Sequence, residues 1–159
     1  MSVKQTAPNS RTATQDPTTP LTAANAVTLI QPIYDALTAS SAETIRPLLE
    51  SATTPDWENC GSTGGFDSRE ATIARWTARL SRIPDLGHAS SEILVSGNRV
   101  IVRGEVTGTP AGAFMGIDPA GRSFKVLTID IHEIEGGLVR RTFHVEDWVG
   151  AMRQLGTAI

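Results

Sequence analysis

The chain has 159 residues, 40% of them hydrophobic and 19% charged, with a formal net charge of −3. That is enough for one domain with its own core, and no Lys/Arg cluster suggests a nucleic-acid surface or a polybasic membrane anchor. A single cysteine, Cys60, excludes an intramolecular disulfide and a Cys-rich zinc site, and no apolar run nears the ~20 residues that span a bilayer.

Residues 1–19 are rich in Ser, Thr, Gln and Pro, with no apolar segment of the kind a secretory signal needs. They read as a disordered tail, which leaves 20–159 as one domain and the cytoplasm as the expected compartment. Thr19-Pro20 has the form of a helix start, and Ala23, Val27, Ile30, Tyr34 and Leu37 follow at helical spacing. Pro32 inside that run predicts a kink. Ser40 and Glu43 have capping-box spacing and open a second helix carrying Ile45, Leu48 and Leu49. Residues 51–65 read as a loop, with Trp57 as a lid or a pocket wall. Asp67 and Glu70 repeat the capping-box spacing before a third helix whose apolar stripe is Ile73, Trp76 and Leu80.

From Gly87 the period changes to 2. After a Ser96-Gly97-Asn98 turn, Val100, Val102 and Val106 alternate with Arg99, Arg103 and Glu105, the pattern of a half-buried antiparallel strand. A connection over 108–121 carries Phe114 and Met115, a hairpin follows, and Asp147 caps a last short helix. Helices first and strands after predict an α+β fold with helices on one face of an antiparallel sheet.

The hairpin carries an acid and a base, Asp130 and His144. Its odd positions, Leu127, Ile129, Ile131, Phe143 and Val145, are as apolar as its even ones, so one face lines a core or cavity and the other meets a partner. A three-residue Glu135-Gly136-Gly137 loop pairs Ile134 with Leu138 and gathers Thr128, Asp130, Thr142 and His144 on one face. A two-residue Gly136-Gly137 turn puts Asp130 and His144 on opposite faces. The three-residue loop is preferred because it assembles the polar patch.

Pro84-Asp85-Leu86, the stretch NRVIVRGEVTGTPAGAFMGIDPAG from Asn98 to Gly121, DIHEIEGGLVRRTFHVEDW from Asp130 to Trp148, and Arg153-Gln154-Leu155-Gly156 together resemble the SnoaL-like polyketide cyclases of the NTF2-like superfamily. The resemblance spans about 66–156. It implies a cone: a curved antiparallel sheet wrapped around about three N-terminal helices, with a short C-terminal helix and an apolar cavity inside. It also implies a homodimer or larger homo-oligomer formed through the outer sheet face. In these cyclases a His and an Asp on the last two strands face the cavity, and the Asp is the acid–base residue of an intramolecular aldol closure. The matching positions here are Asp130 and His144, with the two residue types exchanged. Relatives often carry Thr-His-x-Gly where this chain has Thr109-Pro110-Ala111-Gly112.

The leading expectation is therefore a cofactor-independent cyclase acting on a small hydrophobic carbonyl compound. Asp130 and His144 are its catalytic pair, and Tyr34, Trp57, Phe66, Trp76, Phe114, Met115, Thr128, Thr142 and His132 are its pocket. Neither a metal nor a nucleotide is called for, and His132, His144 and Glu146 match no zinc-type motif. The alternatives are a ketosteroid-isomerase-like enzyme using Tyr34, an epoxide hydrolase with Arg103 or Arg140 beside Asp130, and a non-catalytic binding or dimerisation module.

Overall fold

The computed structural model describes residues 20–62 and 64–156, so the expected tail and Thr19 lie outside the described residues. The first helix, α1, runs Ala23–Leu37 and is capped by Thr22, whose hydroxyl accepts from Asn25 N–H while the Asn25 side chain accepts from Thr22 N–H. It continues through Pro32 as one helix, and its buried stripe of Leu29, Ile30, Ile33 and Tyr34 aims Tyr34 at the sheet. Helix α2, Ala42–Ala52, begins one residue later than the sequence suggests: its N-cap is Ser41, whose hydroxyl turns to the Glu43 carboxylate instead of capping the backbone.

Most of the segment expected to be a loop, 51–65, is the strand β1 (Thr53–Ser62), and its last residue opens the strand β2 (Gly65–Ser68). Its inward positions include Trp57, Asn59 and Gly61, which hide the two-residue alternation because two of the three are not apolar. Helix α3, Arg69–Arg82, is capped by the Ser68 hydroxyl, not by Asp67. It follows these strands, so the chain is not helices first and strands after. Then come β3 (Gly87–Ser96), β4 (Arg99–Gly108), β5 (Phe124–Glu135), β6 (Leu138–Glu146) and α4 (Trp148–Leu155), the last capped by Asp147 as expected.

The fold is α+β, with one six-stranded sheet in the order β2-β1-β6-β5-β4-β3. Pairing is antiparallel except between β1 and β6, so the sheet is mixed. Two apolar clusters cover its inner face. One joins α1 and α2 to Trp57, Val100, Val102 and Val139; the other joins Ile83, Leu86, Val106, Phe124 and Val126 to Leu155 of α4. No helix among the described residues is long and apolar enough to cross a membrane.

Gly104 of β4 permits a close approach on this inner face. A Cβ there would lie 2.8 Å from both the Ala89 carbonyl oxygen and His88 Nε2. Gly104→Ala is expected to destabilise the fold by about 1–3 kcal/mol through overpacking, read as a lower midpoint in denaturant unfolding.

Candidate functional site

Inward positions of β5 read Phe124, Val126, Thr128, Asp130, His132, Ile134. The three polar residues sit between the two apolar clusters and are themselves buried. Buried polar groups need partners, and these find theirs across elements. The Tyr34 hydroxyl of α1 donates to Asp130 Oδ2 at 3.1 Å and lies 3.0 Å from His132 Nε2. His132 Nδ1 is 3.0 Å from the Thr142 hydroxyl of β6, which accepts from Trp57 Nε1 of β1 at 3.0 Å. Thr128 adds a long contact of 3.5 Å to Asp130 Oδ2. Asp130 Oδ1 takes no hydrogen bond from the described residues.

A cavity of about 250 Å³ opens over this row. Tyr34, Trp57, Trp76 and Phe114 contribute aromatic wall, and Thr128, Asp130, His132, Thr142 and His144 face it as well. Phe66 and Met115 do not line it: they are 59% and 51% exposed, on β2 and in the 108–121 connection. Sequence reasoning missed His88, Asn59, Glu146 and Trp148, and the arginines Arg75, Arg79 and Arg82 of α3, which also line the cavity. Glu146 and His88 were findable, since each shares strand parity with a cavity residue: Glu146 with His144, and His88 through its partner Val106. Asn59 was hidden in the supposed loop.

The hairpin reaches the expected arrangement by another route. Gly136 and Gly137 have φ of 57° and 79°, so the loop is the two-residue turn, and Glu135 pairs with Leu138. That register alone would separate Asp130 from His144. A bulge in β6 restores parity: Ile134 pairs with Val139 but Glu133 with Arg141, leaving Arg140 extra. Asp130 therefore sits directly opposite His144, not on a diagonal. The Arg140 guanidinium is held by the Asp56 carbonyl at 2.8 Å and by the Asp56 and Glu58 carboxylates. Arg103 pairs with Glu92, so each of these arginines is committed to other acids.

Burial sets the charges. It pushes the Asp130 carboxyl up to about 7; the Tyr34 hydrogen bond opposes this and Glu146 adds to it. Burial also raises Glu146, and it raises Tyr34 with help from the Asp130 charge, so the phenol stays protonated. The histidines move the other way: His132 is pushed down to about 3 and His88 to about 4, and His144 is lowered by burial and then by Arg75. All three imidazoles are neutral at pH 7. His88 stacks on Tyr34 with centroids 4.0 Å apart. His144 Nε2 packs where a Gly61 side chain would be and has no partner among the described residues. No group of three or more His, Cys, Asp or Glu among the described residues is placed to hold a metal.

The arrangement is a buried carboxylate, poised near neutrality and ringed by neutral imidazoles, in a largely apolar chamber. Three solved structures share the architecture. TsrD from Streptomyces laurentii is 25% identical, with a TM-score of 0.72 over 87% of this chain and 99% of its own. IdmH from Streptomyces antibioticus, a candidate polyketide cyclase, is 24% identical, with a TM-score of 0.69 over 82% and 97%. AclR from Streptomyces galilaeus, a candidate hydroxylase, is 21% identical, with a TM-score of 0.71 over 87% and 89%. The last two likenesses show the fold alone. No curated protein matches the chain. The family model for SnoaL-like polyketide cyclase matches residues 32–155, from α1 through α4, and the chain belongs to that family.

Proposed function

We propose that the protein is a cyclase-like acid–base enzyme that deprotonates carbon α to a carbonyl in a small, largely apolar substrate. The observation that carries this is Asp130: a buried carboxylate facing an apolar cavity with one oxygen uncommitted. Asp130 Oδ1 takes the α-proton, the enolate carbon attacks a second carbonyl of the folded substrate, and the new alkoxide takes the proton back. No atoms are gained or lost. His144, opposite Asp130 and neutral, supplies an N–H for the carbonyl oxygen as it gains charge. The chamber holds the substrate folded, which lowers the entropic cost of ring closure.

Tyr34 beside Asp130 supports a second reading, isomerisation of an unsaturated ketone, which begins with the same proton transfer and differs in product. The commitment of Arg103 and Arg140 elsewhere removes the two arginines that the sequence offered for epoxide opening. The test is α-proton exchange in D₂O, followed by NMR on a panel of aromatic β-keto esters carrying a second ketone within ring-closing reach and of bicyclic β,γ-unsaturated ketones. Exchange above the buffer rate is expected, and the products distinguish ring closure from isomerisation. If no member of the panel exchanges, the binding-module reading replaces this one.

The active unit is a homodimer joined through the outer sheet face. Leu127, Phe143 and Val145 support this, being 50%, 42% and 70% exposed on neighbouring strands. Light scattering should give twice the chain mass for the native protein and a single chain for Val145→Asp. A monomeric native protein would remove this part of the reading.

A further inference from the structure

Five buried side chains from four elements form one hydrogen-bonded chain: Trp57, Thr142, His132, Tyr34 and Asp130. Its two ends differ in kind. The indole N–H of Trp57 can only donate, and an ionised carboxylate can only accept. Trp57 therefore donates to Thr142 Oγ1. If the Thr142 hydroxyl passes its hydrogen to His132 Nδ1, His132 Nε2–H donates to Tyr34, and Tyr34 O–H donates to Asp130. Every polar side-chain atom of the chain except Asp130 Oδ1 then has a partner. The reverse direction requires a proton on Asp130 and leaves the Thr142 hydroxyl hydrogen without an acceptor among the described residues, a costly arrangement for a buried donor.

We propose that Trp57, Thr142, His132 and Tyr34 are positioning residues forming a one-way relay that holds His132 as its Nε2–H tautomer and Asp130 as a carboxylate with Oδ1 turned to substrate. The proposal rests on the acid–base reading of Asp130. It explains why a histidine and a tyrosine that reach the cavity floor are spent on each other. Burial drives Asp130 toward the neutral acid, and the relay opposes that drive, so the base is available without being fully solvated. The other charged or titratable groups lining the cavity are Arg75, Arg79 and Arg82 of α3, His88 of β3, and His144 and Glu146 of β6; none is hydrogen-bonded to the relay, and His88 touches it only by stacking on Tyr34.

The test is ¹⁵N NMR of the imidazoles in the full chain, joined to ¹³C titration of the Asp130 carboxyl. Native His132 should be neutral, with hydrogen on Nε2. Thr142→Val removes the donor to Nδ1, freeing His132 to change tautomer and take the Tyr34 hydrogen bond from Asp130. The Asp130 midpoint should then rise by about half a unit or more, and Thr142→Ser should restore it. Hydrogen on Nδ1, a charged His132, or an unmoved midpoint in Thr142→Val overturns the relay. If Thr142→Val does not fold, the native tautomer decides alone. The two proposals fail separately: an Nε2–H His132 with no α-proton exchange sinks the enzyme and keeps the relay, whereas Asp130-dependent exchange with an Nδ1–H His132 does the reverse.

Discussion

Asp130→Asn should lower α-proton exchange by a factor of about 10²–10⁴, the usual worth of a positioned general base. The substitution is nearly isosteric, and the amide oxygen still accepts from Tyr34, whose hydroxyl is 3.1 Å from Oδ2 in the native protein. Ligand binding should therefore change little while the rate falls. All three tryptophans of the chain line the cavity, so quenching of their fluorescence reports occupancy in both proteins. A variant that binds and exchanges at the native rate would show that another group takes the proton. A variant that loses binding as well would point to a structural role for the carboxylate.

The same variant should be more stable than the native protein at alkaline pH. The Asp130 carboxyl is raised from its ordinary value of 3.8 to about 7 in the folded state. The folded chain thus holds a proton that the unfolded chain has already lost, and the stability this provides is complete below about pH 4 and lost as pH rises through about 7. Linkage puts the difference on the order of 4 kcal/mol across that window. His88, His132 and His144 act oppositely, because burial lowers them all and stability falls as acid protonates the unfolded chain first. Both proteins carry those histidines, so subtracting one stability curve from the other leaves Asp130 and its coupling to Glu146. Denaturant unfolding at several pH values should show Asp130→Asn gaining on the native protein between pH 4 and 8. A constant gap would mean that the buried carboxyl titrates as an ordinary surface acid.

The elements with strong periodicity could be read from sequence: α1, the stripe of α3, the valine alternation of β4, and both strands of the hairpin. What stayed hidden has specific physical causes. β1 escaped because its inward residues, Trp57, Asn59 and Gly61, serve a relay, a cavity wall and the space that His144 occupies, instead of forming an apolar face. The hairpin loop was misread because sequence cannot show a bulge: Arg140 leaves the β5 ladder to bond Asp56 and Glu58, partners on a strand that had not been recognised. Two compensating differences, a shorter turn and an extra residue, put Asp130 and His144 on one face after all. The relay was illegible for the same reason, since Trp57 and Tyr34 reach Thr142 and His132 only through tertiary packing. Phe66 and Met115 were chosen by residue type, and residue type alone does not say which way a side chain points.

The most direct test is the pH dependence of α-proton exchange by the native protein. A base held near neutrality by burial predicts a rate that rises with pH and levels off above a midpoint of about 7. A midpoint near 4, the range of a solvated aspartate, would contradict the claim that this cavity prepares Asp130 for proton transfer.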